Sequence, residues 1–362
     1  MNYDNEISFI FVKTTLSDNM KIDYLNFDNL LLTSLSREMP LGIACGKMGA
    51  CIYFYFLGRN ENISNYTQIA NKLLDDIFEN INRVNEIDVK EGLCGIGLGI
   101  NFLIDNEYVK GNSNLILRHL DDLVFKNLSL SKYSDKIDTL SLIQILFYLH
   151  KRLKSQKSNN ENDYLLKELI IHTINMLYQK LDVHFFEEPY SYHIDYQIPQ
   201  FLYTLSLIYK QDFYNNRILN ILNEVSHNIL SIVPILNSNK LYLLWGINAI
   251  SELTGKQEWV NHSLLLKREL NIKTLFNIEL LNKNVFFEDG VTSIFCLIQS
   301  MKKNFKKDEY FYCVKEIANK LKLSESWTLM HNDMKYFDSH LGLFNGYCGV
   351  SMLSRHLNIN AI

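Results

Sequence analysis

The chain has 362 residues, 47% of them hydrophobic, with 36 basic against 40 acidic side chains and a net charge of −4. That composition excludes an intrinsically disordered segment, and the length calls for two domains or one closed repeat architecture. Near balance of charge gives no electrostatic reason for nucleic acid or an anionic membrane as partner, and no apolar run approaches the roughly 20 residues needed to cross a bilayer.

At the N-terminus, Met1–Ile10 carries Asp4 and Glu6 and no basic stretch, so no secretory signal is expected and the protein reads as cytoplasmic. Residues 1–40 are expected to pack as a segment on the main fold, which occupies 41–362. The first clear motif is G-x-x-G, Gly46-Lys47-Met48-Gly49, followed by the apolar run Ala50–Leu57. Ile69, Leu73, Leu74, Ile77 and Ile81 then fall on one stripe of an amphipathic helix. The motif recurs as Gly92-Leu93-Cys94-Gly95 before Ile96–Ile104, with a second amphipathic stretch over Leu115–Leu128. Copies without paired glycines start at Thr139, Gln197, Asn248 (just after Trp245) and Gly290, and the motif returns as Gly346-Tyr347-Cys348-Gly349. Between them, Tyr164–Leu181, Ile218–Ile232, Trp259–Leu270 and Phe311–Leu323 have helical amphipathic patterning.

Starts at 46, 92, 139, 197, 248, 290 and 346 lie 42 to 58 residues apart, room for two helices and two loops. Strand signals are nearly absent, so the fold class is all-α. Glycine at a helix start permits close backbone approach and a positive φ, and both are expected at a crowded mouth. Matching first and last motifs favour a closed ring over an open solenoid, which needs atypical capping repeats. Six scattered cysteines, Cys45, Cys51, Cys94, Cys296, Cys313 and Cys348, form no CxxC pair and read as reduced, mostly buried thiols. Gly92–Gly97 has neither a preceding strand nor a trailing Lys-Ser/Thr, which excludes a nucleotide loop. His331, His340 and His356 have no metal-ligand spacing.

Seven helix starts, the clearest opening with G-x-x-G, resemble the lanthionine synthetase C-like (LanC-like) family over about Leu41–Leu357. The resemblance implies an α/α toroid of about seven helix pairs in inner and outer layers. It also implies a cyclase in lanthipeptide-type peptide modification, where zinc activates a peptide thiol for addition to a dehydroamino acid. The family draws its zinc ligands from a W-C-x-G turn at the fifth motif and a C-H-G turn at the sixth. Here those segments read Trp245-Gly246-Ile247-Asn248 and Glu288-Asp289-Gly290, so this chain resembles a divergent member lacking the zinc ligands. The family's H-G-x-P-G pattern matches Tyr196-Gln197-Ile198-Pro199-Gln200, with tyrosine for histidine and His193 three residues upstream.

Three functions follow. The first is a zinc-less, degenerate cyclase, a pseudoenzyme that binds a precursor peptide or a dehydratase-type modifying enzyme through Trp245, Tyr196, Tyr347 and His193. No cofactor and no metal ligand is assigned on that reading. The second is an active cyclase using Asp135, Tyr196, Glu288 and Asp289 as acid–base groups, or a metal on the carboxylates. The third is a carboxylate-dependent sugar-processing α/α barrel, with Asp135 facing Glu288 or Asp289 across the cavity. Acids at a helix N-terminus are also expected for stability alone.

Overall fold

A computed structural model of the protein describes residues 24–35, 39–61, 63–129, 136–156, 161–281 and 284–358. Among these residues every regular element is a helix and there is no strand. An N-terminal helix α1 (Tyr24–Ser34) precedes α2 (Lys47–Asn60), α3 (Ser64–Asn80), α4 (Leu93–Asp105), α5 (Arg118–Ser129), α6 (Thr139–Lys154) and α7 (Glu161–Gln179). Then come α8 (Gln197–Tyr209), α9 (Asn215–Leu230), α10 (Asn237–Thr254), α11 (Gln257–Glu269), α12 (Val291–Ser300), α13 (Lys307–Lys322) and α14 (Tyr347–His356). No helix among the described residues is long and apolar enough to cross a membrane.

Two burial patterns alternate along the chain. In α2 every residue from Met48 to Leu57 is buried, whereas α3 buries a stripe of Tyr66, Ala70, Leu73, Leu74 and Ile77. Likewise α9 buries Ile218, Ile221, Leu222, Val225 and Ile229. A helix buried all round has neighbours on every side; a striped one has solvent on its back. The all-round helices touch in chain order, α2 to α4, α6, α8, α10, α12 and α14, and α14 packs again on α2. Each of α3, α5, α7, α9, α11 and α13 packs on the helix before it.

Helix α1 sits where the last helix meets the first. Phe27 and Leu31 are fully buried, and the buried Asp28 carboxylate accepts from Tyr53 (2.6 Å), Tyr66 (3.1 Å) and Arg355 (2.8 Å). Of the segment 1–40, residues 1–23 and 36–38 lie outside the described residues.

Six of the seven expected helix starts fall within one residue of the observed ones, and the fifth does not. Helix α10 begins at Asn237, so Trp245 lies in its third turn and Asn248 deep within it. The start is hidden because a distant residue caps it. Glu279 accepts the backbone N–H groups of Asn237 (2.7 Å) and Ser238 (2.9 Å), and their side chains as well. A carboxylate on those orphan donors does the work of a local cap.

The glycine expectation is half corrected. Gly46, Gly92 and Gly346 have negative φ, at −114°, −97° and −164°, so no left-handed turn requires them. Close approach does. A Cβ at Gly95 would lie 1.8 Å from the Val89 carbonyl oxygen, and one at Gly349 would lie 2.1 Å from that of Leu343.

Candidate functional site: the loop mouth and the cavity beneath it

The loops before four helices share one construction. The first helical N–H reaches back seven residues: Lys47 to the Pro40 carbonyl (2.8 Å), Leu93 to Glu86 (2.9 Å), Val291 to Asn284 (2.9 Å) and Tyr347 to His340 (2.9 Å). Each bond satisfies an orphan donor of its helix and curls the loop over the helix start. Two residues before the N-cap, equivalent positions are then tied together. Ala44 N–H donates to Lys90 (3.0 Å), Phe344 to Ala44 (3.2 Å), Glu288 to Phe344 (3.0 Å) and Ile194 to Glu288 (2.8 Å). Five loops thus form one backbone-bonded collar.

A side chain spans its open end. The Lys90 ammonium donates to Asp195 Oδ2 (2.7 Å) and to Glu288 Oε1. His193 lies between the same acids, Nδ1 3.4 Å from Asp195 Oδ2 and Nε2 3.5 Å from Glu288 Oε1. The Asp195 backbone N–H donates to Nδ1 (3.1 Å). That bond makes Nδ1 the acceptor and puts the proton of the neutral ring on Nε2, toward Glu288. Tyr242 OH (3.0 Å) and Gln200 both donate to the Ile194 carbonyl and fix the turn that carries His193 and Asp195.

Burial works against the charge on Lys90, but hydrogen bonds and charge from Asp195 and Glu288 outweigh it and its pKa is raised. Burial raises Asp289, assisted by Glu288 and opposed by His193. Burial likewise raises Glu91. The Cys45 thiol is pushed up to about 11 by burial, then by Glu91 and Glu288, so it is a thiol and not a thiolate at neutral pH. The mouth is a salt-bridged acid–base cluster with protonated sulfur beside it.

Ligand atoms of His193, Asp195 and Glu288 all lie within 4.8 Å of one another, close enough to converge on an ion. Lys90 already holds one oxygen of each carboxylate, so an added dication would meet a fixed positive charge nearby. Zinc in the LanC-like family takes thiolate and imidazole, and the donor set here is carboxylate-rich with an ammonium in its midst. Gly246 fits a ligand role no better: a Cβ there would lie 2.8 Å from both the Pro199 Cα and its carbonyl oxygen. Cys296 points elsewhere. It lines the cavity from α12, with its thiol pushed up to about 12 by burial. The residues present do not fit the zinc that the resemblance implies.

Beneath the collar is a cavity of about 720 Å³, lined by residues of α2, α4, α6, α8, α12 and α14. Ile43, Phe287, Leu343 and Phe344 line its loop end, and Asp105, Lys151, Lys154 and His356 line it at the helix C-termini.

The expected site residues divide. His193 and Glu288 meet at the mouth, with Asp289 beside them and its Oδ1 buried without a hydrogen-bond partner. Tyr196 is the N-cap of α8, only 5% exposed, and burial raises its pKa, so it is a poor proton relay. Tyr347, expected to bind peptide, is fully buried among Phe27, Phe286 and Phe337, with its hydroxyl on the Ser326 carbonyl. Trp245 is half-buried and stacks on Tyr203, centroids 4.0 Å apart, and Tyr203 lines the cavity. Asp135 lies outside the described residues. Sequence reasoning missed Lys90 and Asp195. A signal existed for the first: Lys90-Glu91-Gly92 occupies the same offset from its helix as Glu288-Asp289-Gly290.

No protein-family model and no curated protein matches the chain.

Proposed function

We propose that the chain is a LanC-like α/α toroid whose all-round-buried helices form the inner ring. On this reading it serves a peptide-modification pathway without zinc-dependent cyclisation. The mouth then binds a precursor peptide or a modifying enzyme through Glu288, Asp289, His193 and the collar. The observation that carries this reading is Lys90. Its ammonium sits on Glu288, at the turn where the resemblance calls for a zinc-bound thiolate. A lysine delivers one positive charge and no open coordination position, so it holds the mouth together without activating a thiol.

The direct test supplies a synthetic peptide carrying a dehydroalanine and a free cysteine. Thioether formation, read by loss of free thiol, is expected at the rate without protein. Acceleration lost in Glu288→Gln or Asp289→Asn overturns the reading in favour of an active carboxylate-dependent cyclase.

A further inference from the structure

The overall balance of charge conceals how the charge is placed. Glu86, Asp88, Glu91, Asp195, Glu288 and Asp289 stand in the collar loops, where the helices begin. At the other end, where α12 finishes, the connection to α13 reads Met301-Lys302-Lys303-Asn304-Phe305-Lys306-Lys307, four lysines and no acid. All four lysines are exposed. Lys303 pairs with Glu252 (2.6 Å), and Lys302 lies over the Tyr310 ring, 4.8 Å from its centroid. Lysines that follow a helix are expected from its dipole, which accounts for Lys302 and Lys303. It does not account for Lys306 and Lys307, the N-cap and first residue of α13. There the dipole disfavours a cation, and Asp308 and Glu309 offset that cost.

Phe311 follows one turn later, 47% exposed, with the Lys307 ammonium 6.0 Å from its centroid and Lys315 exposed four residues further on. Lysine is a hydrated point charge, so it suits a diffuse negative surface better than a planar partner that needs two parallel hydrogen bonds. An exposed ring between two lysines fits the boundary of headgroup and acyl chain. The ring enters there, and the lysine stems carry their ammoniums back to the phosphates. The connection after α4 repeats the pattern at the same end, with Leu115 73% exposed between Lys110 and Arg118 in the sequence. We propose that this end of the molecule docks on an anionic lipid surface, with Lys302, Lys306 and Lys307 at the headgroups and Phe311 at the acyl boundary. The same surface repels the collar acids in the reverse orientation, so the docked molecule keeps its mouth toward water. Adsorption of this kind needs no membrane-crossing helix. It rests on the order of the helices and not on the loss of zinc chemistry.

The test mixes the full chain with sedimentable vesicles of phosphatidylcholine, alone or with about 30% phosphatidylserine, and reads the partition coefficient after centrifugation. Partition onto the serine-containing vesicles is expected to be about a hundredfold stronger, and to be lost in about 0.5 M salt. Lys306→Gln with Lys307→Gln is expected to lower it about 25-fold, about fivefold per lysine. Lys267→Gln with Arg268→Gln, at the far end of α11, removes the same charge elsewhere and is expected to leave it nearly unchanged. Phe311→Ser keeps the charge and is expected to weaken partition about fivefold. Circular dichroism is expected to be unaltered in all three, since every replaced side chain is exposed. Equal binding to both kinds of vesicle, or an equal loss in the two double variants, overturns the proposal. A preference for a single-stranded oligonucleotide over the serine-containing vesicles at the same salt also overturns it and assigns the lysines to nucleic acid. None of these results bears on thioether formation, so failure here is separable from failure of the cyclase-loss reading.

Discussion

Among the described residues, Lys90 is the side chain that bridges the loop before α4 to the loops before α8 and α12. Replacing it by methionine keeps the length and removes the cation, leaving Asp195 and Glu288 facing each other across His193. Lys90→Met is expected to lower the unfolding free energy by about 1–3 kcal/mol, the usual loss when a partly buried charged hydrogen bond is broken. The pH dependence has a fixed sign. The Lys90 pKa is raised in the folded state, so its contribution is complete below the unfolded lysine value of about 10.4 and is lost as pH rises through the folded one. Urea titrations of wild type and Lys90→Met are therefore expected to differ by a constant amount from neutral pH to about pH 10 and to converge above it. A difference that disappears near neutral pH contradicts the assignment.

At the scale of the helices, Gly246 shows how one residue sets a packing distance. Alanine improves helix propensity by about 1 kcal/mol over glycine, but the new Cβ would sit 2.8 Å from the Pro199 backbone. Backbone cannot rotate aside, and overpacking of this kind costs about 1–3 kcal/mol. The clash wins, so Gly246→Ala is expected to unfold at lower denaturant with an unchanged m-value. A stabilised variant means that α8 and α10 do not meet as described. Helix starts marked by glycine or by a local cap, such as Gly92 or Asp138, were legible because the signal lies within a few residues of the start. The start of α10 was not, because Glu279 supplies its cap from 42 residues away. His193 and Glu288 were legible as polar residues beside helix starts. Their meeting with Lys90 and Asp195 was not: Lys90 lies 105 residues from Asp195 and 198 from Glu288, and the loops that carry them are joined through backbone atoms that leave no sequence trace.

At the scale of the whole molecule, the first and last helices touch, and α1 locks them through Asp28 and Arg355. The all-helical class was readable from the amphipathic helical patterning and the near absence of strand signals, and among the described residues every regular element is a helix. The chemistry depends on which cation holds the mouth. On the proposed reading, Lys90 provides it from within the chain, in place of the metal on which a LanC-like cyclase depends. The most direct measurement is elemental analysis of protein purified without chelators, followed by zinc titration. The expected result is zinc far below one per chain and no tight uptake. One zinc per chain that survives dialysis, with sulfur or imidazole nitrogen in its X-ray absorption spectrum, contradicts the account.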